Sequence, residues 1–304
     1  MPESTSHRHA LLIVSATACW GGGTVLSKQV LDRGVAPLTL LAIELAASTL
    51  LLGLGALVLG VRPTWSPTLG RLALLGVLNP GVAYALGLLG LVTITASLSV
   101  LLWATEPVLI MLLAALLLRE RIAAATMVGV AIALVGVLLV LYRPGAAGDG
   151  IGISLTVGAV AACAFYTVLT RRLLLDDGSL EVVLVQQGAA LCFAVAVVGM
   201  AWAVEITDLG MPADLATWGL AAASGMVYYG LAFWFFISGL RGVPASVAGS
   251  LFPLIPVFGI AAGYVAGDRL TDRQWMGAAL VVAATGAAVV HHLTRDGVRS
   301  SAIP

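Results

Sequence analysis

Long apolar stretches with almost no charged residues follow one another along nearly the whole of this chain, and no other feature limits its possible folds as strongly. In a bilayer every backbone N–H and C=O needs a partner within the protein, so stretches of about 20 apolar residues fold as helices that cross it. With Gly, Pro and charged residues taken as segment ends, the pattern predicts ten transmembrane helices. Their predicted ranges are 9–31, 37–60, 69–90, 94–118, 122–142, 150–171, 180–204, 215–240, 244–266 and 273–293.

Composition agrees with an all-α polytopic membrane protein. Hydrophobic residues make up 60% of the 304 residues and charged residues 10%, whereas soluble domains have about 45–50% apolar and about 25% charged residues. The 15 basic and 15 acidic side chains cancel, and no basic run is available to bind phosphates. We therefore expect the lipid bilayer as the surroundings of this chain and no nucleic acid as a partner.

Histidine and cysteine indicate neither an enzyme nor a metal site. All four histidines lie near the ends of the chain, and the three cysteines lie in apolar segments. An intramembrane phosphatase or protease needs a nucleophile with a base, or metal ligands, within one cavity. We predict that the protein is not an enzyme and that it has no metal site and no cofactor. A receptor or structural role would leave the repeats and buried acidic residues described below unexplained.

The first apolar segment has two interpretations. The run after His7-Arg8-His9 is similar to a signal-peptide core, and Ala16-Thr17-Ala18-Cys19 is similar to a lipoprotein cleavage site. Because the apolar character continues to about Val30, and because a counterpart occurs later in the chain, we expect a first transmembrane helix instead.

Basic residues predict the orientation of the chain. With ten helices, ten of the 15 Lys and Arg residues fall on the side that holds both termini, and five fall on the other side. The positive-inside rule then places both termini in the cytoplasm.

The two halves of the sequence repeat each other. Thr24–Lys28 matches Thr167–Arg171 at an offset of 143 residues, and Pro107 matches Pro256 at an offset of 149. Each half, 1–143 and 144–304, contains five predicted helices. Because five is odd, the second half enters the membrane inverted relative to the first. Inverted repeats around a central cavity are typical of secondary transporters, which expose one site alternately to each side.

One set of residues carries a resemblance to a known family. The set consists of Ala96, Ser99, Leu101, Pro107, Leu118, Glu120, Gly129, Gly136 and Val137. In this spacing it resembles the signature of the drug/metabolite transporter superfamily, EamA type. The resemblance implies ten helices with both termini inside, a cavity lined mainly by helices 1, 3, 4, 6, 8 and 9, and export of small metabolites. We expect the protein to act as a monomer in the bacterial inner membrane. The aromatic content of the inner helices is similar to that of bacterial aromatic amino acid exporters.

Glu106 is a carboxylate in the middle of an apolar span. An ionised side chain at the bilayer centre costs about 2.5 to 3.5 kcal/mol, so its presence needs a reason. Pro107 predicts a kink in helix 4, and Trp103 and Ser99 share a helix face with Glu106. Either Glu106 faces a substrate cavity, or it is a structural group that is hydrogen-bonded to a neighbouring helix.

Glu44 is the other acidic residue deep in a span. It either binds a proton or cation, or lies near the interface and reaches water by extending its side chain. Glu44 and Glu106 are therefore the candidates for proton or cation coupling. Many members of the superfamily resemble one another in having a basic residue at the position of Glu44 and an apolar one at that of Glu106.

The remaining site predictions follow from aromatic residues and helix breaks. The predicted substrate-binding residues are Trp20, Tyr84, Ser99, Trp103, Glu106, Tyr166 and Tyr229. The predicted gating or kink residues are Gly22, Pro80, Pro107, Pro253 and Pro256. For Gly22 and its two neighbouring glycines, close helix packing is the alternative to a flexible gate.

Two substrate classes fit this pattern. An aromatic-lined pocket with a few polar groups suits a small amphipathic solute. The first hypothesis is export of aromatic and other large neutral amino acids by alternating access. The alternative is proton-coupled export of lipophilic cationic drugs on the same scaffold, because a carboxylate among aromatic rings also suits a quaternary ammonium.

Overall fold

The computed structural model describes residues 2–62, 66–91, 93–94, 102–141, 149–174, 178–203, 210–265 and 271–301. Within these ranges the regular elements are helices, and they form ten helical units. These are α1 (Pro2–Leu31), α2 (Pro37–Val58), α3 (Pro67–Gly76, Val77–Val82 and Ala83–Leu91), α4 (Glu106–Leu117), α5 (Ala124–Leu141), α6 (Gly150–Leu173), α7 (Ser179–Ala203), α8 (Leu215–Gly225, Met226–Leu231 and Ala232–Leu240), α9 (Ala245–Ser250 and Leu254–Val265) and α10 (Asp272–Ser301).

The predicted all-α fold of ten helices is confirmed. In the described part of the chain, seven helices are long and apolar enough to cross a membrane, and α4 and α5 provide two shorter apolar ones. Most predicted ends agree with the structure within about two residues. The exceptions are α1, which begins at Pro2, α10, which ends at Ser301, and α4. The predicted boundary between the halves, at 143/144, lies outside the described residues.

Side-chain caps begin several helices. Ser66 Oγ accepts a hydrogen bond from the backbone N–H of Leu69 at the start of α3. Asp149 and Asp214 cap α6 and α8 in the same way, each accepting a backbone N–H at 2.7 Å. These backbone hydrogen bonds hold the pKa of both aspartates below its usual range. A cap of this kind satisfies an N–H that has no partner within the helix.

Glycine contacts relate the two halves in space. A side chain at Gly90 of α3 would collide with the backbone of Gly152 on α6, and one at Gly239 of α8 would collide with that of His9 on α1. Gly90 and Gly239 are 149 residues apart, and His9 and Gly152 are 143 apart. These offsets are the ones found in the sequence. In both contacts the first helix of one half packs against the third helix of the other half, and the two contacts are related by the repeat.

The third helix of each half contains a wide π-helical turn. It spans Val77–Val82 in α3 and Met226–Leu231 in α8, again at an offset of 149 residues. In α3 the break occurs where Pro80 predicts it, and Asn79 has extended dihedral angles (φ −149°, ψ 119°). The π-helical turn in α8 contains no proline. Composition therefore did not indicate this second turn, although the repeat implies it.

Candidate functional site

A cavity of about 460 Å³ lies at the centre of the helix bundle. Residues of α1, α3, α5, α6, α8 and α9 line it, together with residues at the start of α4. All six helices implied by the family resemblance contribute. The contribution of α5, through Leu134 and Val137, was not predicted.

Five of the predicted substrate-binding residues line this cavity. They are Trp20, Tyr84, Trp103, Glu106 and Tyr166. Tyr229 lies one layer behind it and packs against Tyr84, with ring centroids 5.4 Å apart. The neighbouring Tyr228 lines the cavity instead. Ser99 lies outside the described residues.

The predicted gating residues divide into two groups. Pro107, Pro253 and Pro256 line the cavity, whereas Pro80 is buried in the break of α3. Gly22 has open space around it, and α1 runs through it without a break. The gating role of Gly22 therefore stays a prediction. The neighbours Gly21 and Gly23 instead allow close approach of α9 and α8, which supports the packing interpretation for those two glycines.

The cavity has two related broken helices in its walls. In α9, residues Leu251–Pro253 form a turn between two helical segments, and in the first half a turn at 104–105 precedes α4. The pairs Trp103/Phe252, Glu106/Ile255 and Pro107/Pro256 all line the cavity at an offset of 149 residues. The two broken helices thus contribute related residues to the cavity, but only one of them contributes a carboxylate.

Pro107 does not kink a continuous helix as predicted. It is the second residue of α4, and the turn lies before it. In the first turn of a helix the missing N–H of proline leaves no hydrogen bond unmade, so the chain accepts it there without distortion. Glu106 is the first residue of the same helix. Its carboxylate is therefore favoured by the exposed N–H groups of the helix start.

Glu106 has no direct hydrogen-bond or ion-pair partner among the described residues. The described cavity lining contains no Lys, Arg or His, and its polar side chains are neutral apart from Glu106. Aromatic rings occupy much of the remaining surface. The ring centroids of Trp20 and Phe252 are 5.5 Å apart, and those of Tyr84 and Trp103 are 6.2 Å apart. The structure thus favours a cavity role for Glu106 over a structural hydrogen bond to another helix. Chemically, the site offers one carboxylate within an aromatic enclosure.

The cavity is sealed on the side that holds the chain termini. On that side Ile13 of α1 and Ile237 and Leu240 of α8 are fully buried, and Ala245–Ser250 of α9 is buried throughout. On the opposite side Thr24 of α1 lines the cavity and is exposed. Among the described residues the cavity therefore opens away from the termini.

Glu120 joins the two halves on the sealed side. Its Oε1 accepts a hydrogen bond from the backbone N–H of Ala245 at 2.9 Å, and its Oε2 accepts from the backbone N–H and the hydroxyl of Ser246 at 3.1 and 2.6 Å. Glu120 follows α4 of the first half and caps α9 of the second. Arg171 Nε also donates to the carbonyl oxygen of Val243 at 3.0 Å. In the sequence Glu120 is recognisable only as part of a motif, because the partner Ala245 lies 125 residues further along the chain.

Replacing Glu120 with alanine should destabilise the protein. The change leaves two backbone N–H groups and one hydroxyl unpaired, and each unsatisfied buried polar group costs about 1–3 kcal/mol. Thermal unfolding in detergent should therefore show a clear loss of stability. Ser66→Ala is the control, because it removes a helix cap with a single hydrogen bond. Equal losses for both variants would contradict the closing role of Glu120.

Glu44 lies outside the cavity. It is 3% exposed, and its Oε1 lies 2.6 Å from the hydroxyl of Ser27 on α1 and 2.6 Å from that of Ser224 on α8. The prediction that Glu44 reaches water at an interface is therefore wrong. It is held in a polar cluster among three helices.

Gln186 occupies the place in the second half that Glu44 occupies in the first. A side chain at Gly225 would overlap the backbone of Glu44, and one at the related Gly76 would overlap the backbone of Gln186. Gln186 Oε1 accepts a hydrogen bond from the hydroxyl of Tyr166 at 2.9 Å. The carboxylate is thus matched by an amide in the other half.

Comparisons with known proteins identify one family by its model. The model described as "EamA-like transporter family" matches residues 7–142 and 150–290. An uncharacterized transporter from Archaeoglobus fulgidus is 27% identical over 163 residues. That match covers 54% of this chain, which spans 58% of the length of that relative. A solved crystal structure superposes with a TM-score of 0.79 at 21% identity, over 95% of this chain and 98% of that one, and it shows the fold alone.

Proposed function

The chain belongs to the EamA-like transporter family of the drug/metabolite transporter superfamily, and from that premise we propose that it exports small amphipathic solutes carrying an ammonium group beside an apolar or aromatic body. Family membership confirms a multi-pass membrane transporter rather than an enzyme. The resemblance to aromatic amino acid exporters stays a prediction.

The observation that carries the proposal is the unpaired Glu106 in its aromatic enclosure. Aromatic ring faces attract organic cations, and the attraction strengthens when the ion is desolvated. A carboxylate in the same enclosure supplies the counter-ion that a buried cation requires. The described lining offers no basic side chain for a substrate carboxylate. The geometry therefore favours a lipophilic cation over a zwitterionic amino acid.

Large neutral amino acids are the second candidate. A neutral donor at the cavity supports them, because Asn79, whose side-chain amide can donate hydrogen bonds, lines it. Hydrogen bonds from such donors can hold a carboxylate, although more weakly than a guanidinium group does.

We propose alternating access of the two inverted repeats as the mechanism. In the present conformation the Glu120 contacts seal the termini side and the cavity opens on the other. In the opposite state these contacts separate and the corresponding contacts of the other side form. The turns in the two broken helices are the places where their segments can reorient. The protein works as a monomer in the bacterial inner membrane, with both termini in the cytoplasm.

Uptake into proteoliposomes tests this proposal. Labelled benzyltrimethylammonium has a permanent positive charge and an aromatic ring, and we expect it to enter in a saturable way. Labelled phenylalanine and threonine are compared under the same conditions, with protein-free liposomes as the control. Phenylalanine uptake that is insensitive to excess benzyltrimethylammonium would assign the cavity to amino acids. Absence of all three fluxes would overturn the proposal.

A further inference from the structure

We propose that Glu44, Ser27 and Ser224 form a proton-binding site separate from the substrate cavity, and that this proton is exchanged for the exported cation. The exchange rests on the proposed function, whereas the bound proton does not. The observation behind it is a triangle of three oxygen atoms, one from each of α1, α2 and α8.

The distances within the triangle indicate how many hydrogens its three oxygens share. Glu44 Oε1 is 2.6 Å from Ser27 Oγ and 2.6 Å from Ser224 Oγ, and the two hydroxyl oxygens are 2.8 Å apart. Both serine hydroxyls can donate to Glu44 Oε1. The contact between the two hydroxyls then needs a further hydrogen. A protonated Glu44 supplies it by donating to one serine, which leaves that serine free to donate to the other.

A metal ion is poorly suited to this cluster. Mg²⁺ and Ca²⁺ take six or more oxygen ligands, whereas the cluster brings together one carboxylate oxygen and two hydroxyls among the described residues. A proton is therefore the cation that we assign to it.

The surroundings of Glu44 supply no compensating positive charge among the described residues. On α1, Lys28 is exposed and forms an ion pair with Asp32 at 2.7 Å. Arg33 donates to Thr217 at 3.2 Å. The groups that interact electrostatically with Glu44 from α8 are the phenols of Tyr228 and Tyr229. A charged carboxylate would thus be buried alone, which is strongly unfavourable.

The second half supplies neutral groups on the facing helix α7. Gln186 bonds to Tyr166, and Gln187 Nε2 lies 3.4 Å from the carbonyl oxygen of Tyr229. Since Gln186 occupies the place related to Glu44, the fold already accepts an amide at this kind of position. Of the two positions that the repeat relates, only the one in the first half thus holds a titratable group.

The cluster is connected to the cavity through two helices. Ser27 lies three residues after Thr24 on α1, and Ser224 lies four residues before Tyr228 on α8. Thr24 and Tyr228 both line the cavity. Residues at these spacings share a helix face. A change in the position of α1 against α8 on substrate binding therefore also changes the triangle.

The coupling step is a proton transfer without a change of redox state. When the two halves rock, Ser224 of the second half separates from Glu44 of the first, and water reaches the carboxylic acid. The O–H bond of Glu44 breaks, its electron pair stays on the carboxylate, and the proton passes to water. Return of the triangle requires a new proton. One proton can thus cross for each cycle of the repeats.

Infrared spectroscopy of the purified protein at neutral pH tests the bound proton directly. The wild type should show the carbonyl stretch of a protonated carboxylic acid, and Glu44→Gln should remove the Glu44 component of that band. Glu106→Gln is the matched control and should leave the Glu44 band in place. If wild type and Glu44→Gln have the same carboxylic acid band, Glu44 is ionised and the proposal is overturned. This result does not depend on the identity of the substrate.

Transport tests the coupling. For wild type in proteoliposomes, a pH gradient should drive accumulation of benzyltrimethylammonium about tenfold per pH unit for one-for-one exchange. Glu44→Gln should bind the cation with unchanged affinity but lose the gradient-driven accumulation. Full accumulation in Glu44→Gln would overturn the coupling. If wild type binds no cation, the proposed function is wrong, while the infrared result still decides whether Glu44 holds a proton.

Discussion

Glu106→Gln should weaken binding of benzyltrimethylammonium by about 30-fold or more, because truncating one partner of a buried charge pair costs about 2 kcal/mol or more. Glutamine has nearly the same shape and keeps a carbonyl acceptor, so the cavity keeps its volume of about 460 Å³. What is lost is the negative charge. The aromatic rings remain and retain a weaker cation–π attraction.

Binding can be measured by quenching of tryptophan fluorescence in detergent, because Trp20 and Trp103 line the cavity. Benzyl alcohol is the matched neutral ligand, and its affinity should be the same for wild type and Glu106→Gln. Glu44→Gln is the matched protein control, since it removes a carboxylate that does not line the cavity. Equal cation affinity in wild type and Glu106→Gln would remove Glu106 from the substrate site.

The sequence predicts the scaffold well because hydrophobicity determines it. Each transmembrane helix appears as a local apolar stretch, and the repeat offsets appear as matched residues. The same offsets relate the contacts of Gly90 and Gly239. Aromatic residues on the inner helices also predict most of the described cavity lining, because an amphipathic solute needs an apolar surface.

The features that the sequence does not predict depend on distant partners. Glu120 bonds to residues 125 positions away, and Glu44 bonds to Ser224 across 180 positions. From composition alone, a serine that bonds to a distant helix cannot be distinguished from a serine that bonds to its own helix. The start of α4 was also mispredicted, because Pro107 is compatible with either a kink inside a helix or the first turn of a new one.

Gly225→Ala should strongly destabilise the protein, and Gly76→Ala should do the same in the other half. In each case the added methyl group would overlap backbone atoms of the facing helix, those of Glu44 for Gly225 and those of Gln186 for Gly76. Backbone atoms cannot turn aside as a flexible side chain can, so α8 must move away from α2, and α3 from α7. Overpacking of this kind costs about 1–3 kcal/mol and occasionally more. Small residues at such positions are what allows membrane helices to pack closely.

Gly219→Ala is the matched control because Gly219 lies on the same helix, α8, and has open space around it. Replacing that glycine should be neutral or stabilising by up to about 1 kcal/mol, through helix propensity. The measurement is the fraction of protein that stays monodisperse after detergent extraction, together with its thermal unfolding midpoint. If Gly225→Ala behaves like Gly219→Ala, α2 and α8 are not in backbone contact. Glu44 would then be too far from Ser224 for the hydrogen bond at 2.6 Å, so this result would also argue against the proton site.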